Sequence, residues 1–299
     1  MPTSRTPPTL PPAASAQVAP FHGTSFTEAH PNRLLPSPAE IRERNKATGH
    51  PKANDPNRPP PVRIPELGLL VKYGTQVVRA EVEAQRYVYK HLQGRVPVPE
   101  VMGWAEDSGQ GFIYMALVNA PTLAERWDGF TDPVRQTICR ELRSMVQAWR
   151  GLRQDPSDVY IGAVGKLPLN DYLVTDYNKL NGPWLGGDAV QAFQAACSIE
   201  IEEQLPIVFT HGDLVPCNIL VTPGTQPGVA AIIDWAQAGW YPSYWEWCKC
   251  KWVGMPLDWG MDEALQEQWK YRYLPMIVDA LPDSTVYYPW MRFALSIGC

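Results

Sequence analysis

The sequence predicts an α+β protein of two lobes, a small mixed β/α lobe followed by a mainly helical one. Three observations carry this. Between residues 62 and 118 short apolar runs closed by glycine or proline dominate, as strands do. Beyond Asn119 the apolar positions fall at helical spacing instead. Ahead of both, up to about residue 60, proline recurs too densely for long helices or central strands.

That first stretch, residues 1–60, reads as an extension with little core of its own, partly disordered or wrapping around the rest. Pro7, Pro8, Pro11, Pro12, Pro20, Pro31 and Pro36 punctuate it, and Pro59, Pro60 and Pro61 close it. Only Ser37-Pro38-Ala39-Glu40 looks like a helix start, with serine ahead of a proline at the first helical position. The small lobe spans residues 61–118. Leu67 to Gly74 is a strand and turn, and Ala84, Tyr87, Val88 and Leu92 share one helical face. Val96-Pro97-Val98-Pro99 is extended, because a residue before proline is pushed out of the helical region. Gly111 to Val118 is a further strand.

The large lobe spans residues 119–299. Thr131-Asp132-Pro133 opens a helix carrying Ile138, Leu142, Val146 and Trp149, which Gly151 closes. A second helix is expected from Asp188 towards Leu205. Ile207 to Thr210 is a strand, and residues 261–281 read as helical again. Asn218 to Val221 and Val229 to Ile233 flank Pro223-Gly224-Thr225-Gln226-Pro227-Gly228, a turn signal that makes them a hairpin.

Composition narrows the function classes. The formal net charge of −5 over 299 residues argues against a nucleic-acid surface. No run of 18 apolar residues marks a membrane span, and the first residues lack the apolar region of a secretory signal. Six cysteines are too sparse for a disulfide scaffold, so a reducing, cytoplasmic location is expected. Cys248-Lys249-Cys250 does not have zinc-site spacing. Tryptophan clusters at 235, 240, 245, 247, 252 and 259, which reads either as core or as the lining of a cleft.

The hairpin has a chemical consequence. Asp213 and Asn218 lie in the loop entering one strand, and Asp234 lies just past the end of the other. Antiparallel pairing then brings Asn218 and Asp234 side by side, at the same edge as Asp213. Two carboxylates and an amide gathered at an apolar edge repel unless a cation joins them, and such hard oxygen donors suit Mg²⁺ that also binds phosphates. A further carboxylate beside that metal can take a proton from an attacking hydroxyl.

His211-Gly212-Asp213-Leu214-Val215-Pro216-Cys217-Asn218, followed by Ile232-Ile233-Asp234-Trp235, resembles the catalytic and metal-binding segments of the aminoglycoside phosphotransferase and choline kinase-like family. Ala238 to Glu246 is similar to the fungal branch of that family, as are Val71-Lys72-Tyr73-Gly74, Pro97-Val98-Pro99, Thr122 to Trp127 and Gly182-Pro183-Trp184. The resemblance implies a bilobal, protein-kinase-like fold and transfer of the ATP γ-phosphate to a hydroxyl or amine of a small metabolite. It implies Asp213 as catalytic base with His211 bracing the catalytic loop, and Asn218 and Asp234 as Mg²⁺ ligands. Lys72 would contact phosphate and pair with Glu81, Glu83 being the competitor. Met115 and Leu117 fall where the backbone would meet adenine.

One segment departs from that pattern. Kinase-like sites lay a glycine-containing hairpin over the phosphates so that backbone N–H groups approach closely. Here Pro59, Pro60 and Pro61 precede Lys72, and Gly68 lies too close to it to be the tip, so the hairpin is shortened, replaced by Arg58 and Arg63, or missing. Two alternatives therefore stand beside phosphorylation: acid–base chemistry such as dehydration or cyclisation without net phosphorylation, and a non-catalytic kinase-like binding protein. Ala236-Gln237 also stands where relatives carry an acidic residue. The aromatic-rich segment 235–259 suggests an apolar or aromatic acceptor more than a polycationic sugar.

Overall fold

The computed structural model describes residues 17–175, 180–202 and 205–297. The chain forms two compact units, Met1–Val77 with Met102–Met115, and Val78–Val101 with Ala116–Cys299. The class is α+β, with a small antiparallel sheet in the first unit and mainly helices in the second.

The first unit is built on a four-stranded sheet of β1 (Val62–Ile64), β2 (Leu69–Gly74), β3 (Val101–Asp107) and β4 (Gln110–Ala116), in the order β1-β2-β4-β3. Alternation sets its buried face: Val62, Ile64, Leu69, Val71 and Tyr73 point into the core, and Tyr73 stacks on Phe112. Gly68 adopts the left-handed conformation that lets β1 turn tightly into β2. Among the described residues no strand precedes β1 in this sheet.

The chain before β1 is built into the same unit. Helices α1 (Ser25–Ala29) and α2 (Pro38–Ala47) lie there, and Phe26, Leu35 and Ile41 are buried, so the stretch holds more core than its proline content leads one to expect. The expectation for Pro7 to Pro12 falls outside the described residues. Asn45 of α2, buried, donates to the Pro60 carbonyl at 3.0 Å and to the Tyr73 hydroxyl at 2.8 Å. Arg42 donates to Asp107 Oδ2 at 2.6 Å and to Gln110 Oε1 at 2.8 Å.

Helix α2 starts as its sequence predicts. Ser37 caps it by accepting from the Glu40 N–H, while Glu40 Oε2 accepts from the Ser37 N–H at 2.7 Å. Those bonds to Ser37 hold the Glu40 carboxyl below its ordinary range. Ser37→Ala is expected to lower stability by about 1 kcal/mol at neutral pH. The carboxyl's depressed pKa places its stabilisation above the ordinary value of 4.5 and removes it as pH falls through the folded-state value. The difference between variant and wild type in urea unfolding should therefore shrink on acidification below that range.

The second unit opens with α3 (Arg79–His91), whose Val82, Ala84, Gln85 and Val88 are buried. Gln85 donates to the Pro99 carbonyl at 2.7 Å, which holds the extended Val96–Pro99 stretch. After α4 (Leu123–Arg126), the long α5 (Asp132–Arg150) buries Ile138, Leu142, Val146 and Trp149 as predicted. Two short paired strands, β5 (Tyr160–Ile161) and β6 (Trp184–Leu185), flank α6 (Tyr172–Thr175). Helix α7 (Ala189–Cys197) is shorter than expected: Ser198 takes the left-handed conformation that ends it, and Ile199 and Ile201 enter the core without helix.

Strand β7 (Ile207–Thr210) pairs with β10 (Gly239–Pro242), and β8 (Ile219–Val221) pairs with β9 (Val229–Ile232) as the predicted hairpin. Helix α8 (Trp245–Trp252) follows, then α9 (Glu263–Gln268), a wide turn of helix over Trp269–Tyr273, α10 (Leu274–Ile277) and α11 (Tyr288–Ser296). Trp235, Trp240, Trp245 and Trp247 are buried, and Trp245 packs edge-on against Trp290. These four are core and give no ground for inferring an aromatic acceptor, whereas Trp252 is half-buried and Trp259 is exposed.

Candidate active site

The candidate catalytic loop leaves β7 at His211. Its first requirement is Gly212, at φ 77°, where a Cβ would sit 2.5 Å from the Gln237 carbonyl oxygen. Only glycine meets both the conformation and the close approach. The loop backbone then closes on itself, the Val215 N–H donating to the Asp213 carbonyl and the Asn218 N–H to the Val215 carbonyl, each at 2.9 Å.

His211 is fully buried between Trp149 and Trp235. Its Nδ1 accepts from the Asp213 N–H at 3.1 Å, so the proton resides on Nε2, which donates to the Ile233 carbonyl at 3.1 Å. Burial lowers its pKa, and the neutral ring ties the catalytic loop to the strand end that carries Asp234.

Asp213 is half-buried, and its Oδ2 and main-chain oxygen accept from Asn218 Nδ2 at 3.0 and 2.9 Å. That leaves the Asn218 amide oxygen as its donor atom for a cation. Burial raises the Asp213 pKa most; Lys249 opposes the rise, while the charges of Asp234 and Asp171 add to it. Asp234 sits at φ 62°, a left-handed conformation that aspartate tolerates better than most residues. The register is offset by one from side-by-side pairing. Ile219 faces Ile232, the Ile233 N–H donates to the Asn218 carbonyl at 3.0 Å, and Asp234 lies one residue beyond that rung.

The structure thus gathers His211, Asp213, Asn218 and Asp234 within the second unit. Glu81 and Leu117 belong to that unit too, Glu81 buried on α3 and Leu117 half-buried after β4. Glu83 is instead part of an ion pair with Arg79 at 3.1 Å on the same helix. Lys72, half-buried on β2, and Met115, buried on β4, belong to the first unit.

The donor set fits Mg²⁺. Among the described residues no three His, Cys, Asp or Glu side chains form a metal cluster by themselves. An ion here would rely on the Asn218 amide, the Asp234 carboxylate and oxygens from outside the protein, the habit of phosphate-bound Mg²⁺.

Three residues supporting the site carry no role in the sequence reading. Glu246 on α8, fully buried, accepts from the His211 N–H at 2.7 Å and the Gly212 N–H at 3.1 Å. Lys249, one turn along the same helix, pairs with buried Asp171 at 2.5 Å. The available signal was a glutamate and a lysine three apart inside Trp245-Glu246-Trp247-Cys248-Lys249-Cys250, charges that an apolar run has no reason to hold without partners.

The sequence model of the phosphotransferase enzyme family, APH, matches residues 62–277. The chain belongs to this family. Its similarity to solved members is distant. A thermostable mutant of aminoglycoside phosphotransferase APH(4)-Ia, in ternary complex with AMP-PNP and hygromycin B, is 18% identical, with 77% of each chain covered and a TM-score of 0.49. Aminoglycoside phosphotransferase APH(3'')-Id from Streptomyces rimosus is 16% identical over 87% of this chain and 96% of its own, with a TM-score of 0.49. The GDP complex of aminoglycoside 2'-phosphotransferase-IIIa is 15% identical over 77% of this chain and 76% of its own, with a TM-score of 0.45. No curated protein matches the chain.

Proposed function

We propose that the chain is an ATP- and Mg²⁺-dependent phosphotransferase that acts on a hydroxyl or amine of a small metabolite, and that it belongs to the fungal branch whose pattern Ala238 to Glu246 resembles. The observation that carries this is the convergence of a histidine-braced Asp213 with Asn218 and Asp234 at one end of the β8–β9 hairpin.

In this reading Asp213 orients the acceptor and takes its proton as the acceptor oxygen or nitrogen bonds to the γ-phosphorus and ADP leaves. A carboxyl whose pKa is raised by burial is a better proton acceptor than an exposed aspartate. His211 takes no proton in the step, since one ring nitrogen accepts from the Asp213 N–H and the other donates to the Ile233 carbonyl. Asn218 and Asp234 would hold Mg²⁺, which supplies charge neutralisation at the phosphates when bound. Lys72 would contact phosphate with Glu81 as its partner, and the backbone at Met115 and Leu117 would meet adenine. The described cysteines Cys139, Cys197, Cys217, Cys248 and Cys250 are free thiols, which supports a reducing, cytoplasmic location.

Thermal-shift titration with Mg-ATP tests this directly. Stabilisation should rise with ligand and disappear with EDTA. Asp234→Ala is expected to weaken Mg-dependent nucleotide binding at least tenfold; unaltered affinity would remove the metal role.

A second reading is favoured by one observation, that the sheet begins at β1 with no glycine-rich hairpin before it among the described residues. The same carboxylates would then do acid–base chemistry, dehydration or cyclisation, without net phosphorylation. Turnover of a substrate in the absence of ATP would decide for it.

A further inference from the structure

Lys249 and Asp171 form an ion pair that is almost wholly withdrawn from water, their side chains 1% and 0% exposed. Such pairs contribute little net stability, because the cost of desolvating both charges offsets their attraction. The pair therefore calls for another reason to exist, and its connections supply one.

Lys249 Nζ donates to Asp171 Oδ2 and, at 2.6 Å, to Gln237 Oε1; it also lies 4.5 Å from the centre of the Tyr172 ring. Asp171 is held from two more sides, by Trp245 Nε1 at 2.8 Å and by the Leu173 N–H at 3.0 Å. Gln237 Oε1 also accepts from the Tyr172 N–H at 3.2 Å, and Asn170 Nδ2 donates to the Ala236 carbonyl at 3.1 Å. One ammonium thus locks the 170–172 segment, helix α8 and the Trp235–Gln237 turn together.

That turn stands between the two loops that matter. It begins at the residue after Asp234, and its last residue packs against Gly212: a Cβ there would lie within 3.2 Å of the Gln237 carbonyl oxygen, carbonyl carbon and Cβ. Moving Gln237 moves the wedge between the Asp213 loop and the Asp234 loop. We propose that Lys249 is a positioning residue, which fixes Gln237 and thereby sets the spacing of the catalytic and metal-binding loops.

The consequence for turnover rests on the proposed phosphotransferase reading; the consequence for the turn does not. The test uses the full chain with Asp171→Leu and Lys249→Met together, so that no buried charge is orphaned. Thermal melting should fall by several degrees, because Trp245 Nε1 and the Leu173 N–H lose their acceptor, while the fold is kept. Hydrogen–deuterium exchange of the amides at 235–238 should rise at least tenfold, with those of β8 and β9 unchanged. Turnover of ATP should fall at least tenfold with KM for ATP within threefold. If exchange rises but the wild type itself has no ATP-dependent activity, the positioning role stands and the phosphotransferase reading falls. If exchange at 235–238 is unchanged, the positioning role falls whatever the activity. Should the double variant not fold, Gln237→Leu severs the same link and keeps the ion pair; unchanged exchange at 235–238 in that variant overturns the inference equally.

Discussion

Asp213→Asn is expected to reduce turnover by roughly 10²–10⁴-fold, the contribution of a positioned general base, while leaving the fold intact. The amide keeps an oxygen to accept from Asn218 Nδ2, now at 3.0 Å from the carboxylate, so the loop geometry survives. It loses the proton-accepting oxygen and the charge. Stability should hold or rise. Burial and the Asp234 charge raise the Asp213 pKa above its ordinary 3.8, so the fold favours the protonated acid over the carboxylate. This penalty is absent below the ordinary value, grows as pH climbs from there through the raised folded-state value, and is complete above it. In EDTA, the melting temperature of Asp213→Asn relative to wild type should therefore increase over that interval and then level off. Full turnover in the variant would end the assignment of Asp213 as base, and a relative melting temperature that falls with rising pH would contradict its electrostatic environment.

Much of this site was legible because local rules and tertiary contacts agree there. The β8–β9 hairpin follows from two apolar runs around a Pro-Gly-rich turn, and the pairing of Ile219 with Ile232 sets Asn218 near the end that carries Asp234. The one-residue offset was not readable, since register depends on how the turn closes: the Thr222 N–H bonds the Gly228 carbonyl, and a bulge falls between Leu220 and Val221. Helix α2 announced itself through Ser37, Pro38 and Glu40, whereas α1 begins at a Thr24–Thr27 box that lacks the acidic residue of the usual signature. The end of α7 is hidden in the sequence because the buried Ile199 and Ile201 continue an apolar pattern after Ser198 has already turned the chain. Tryptophans 235 to 247 were ambiguous in sequence because composition cannot distinguish a core from a cleft; burial does. Lys249, Asp171 and Gln237 come from three separate stretches of chain, and no local pattern predicts their meeting.

Glu246→Ala is expected to have the largest effect on stability. Both carboxylate oxygens are spent on backbone donors of the catalytic loop, the His211 N–H at 2.7 Å and the Gly212 N–H at 3.1 Å, in a place the solvent does not reach. Gly212 cannot relax towards another acceptor without leaving its left-handed conformation and the wedge of Gln237 behind it. Truncation therefore leaves two buried donors without partners, each costing about 1–3 kcal/mol, and opens a small cavity. A total of about 3 kcal/mol corresponds to a fall in melting temperature of roughly 5 °C for a chain of this size. Turnover should fall with it, because His211 and Asp213 hang on the same two peptide units. Glu246→Gln separates packing from hydrogen bonding: its amide fills the space and its oxygen serves one donor, but its NH₂ confronts the other. It should melt between Glu246→Ala and wild type. A Glu246→Ala protein that melts at the wild-type temperature would mean that the loop's N–H groups find other partners, and that α8 does not hold the catalytic loop in place.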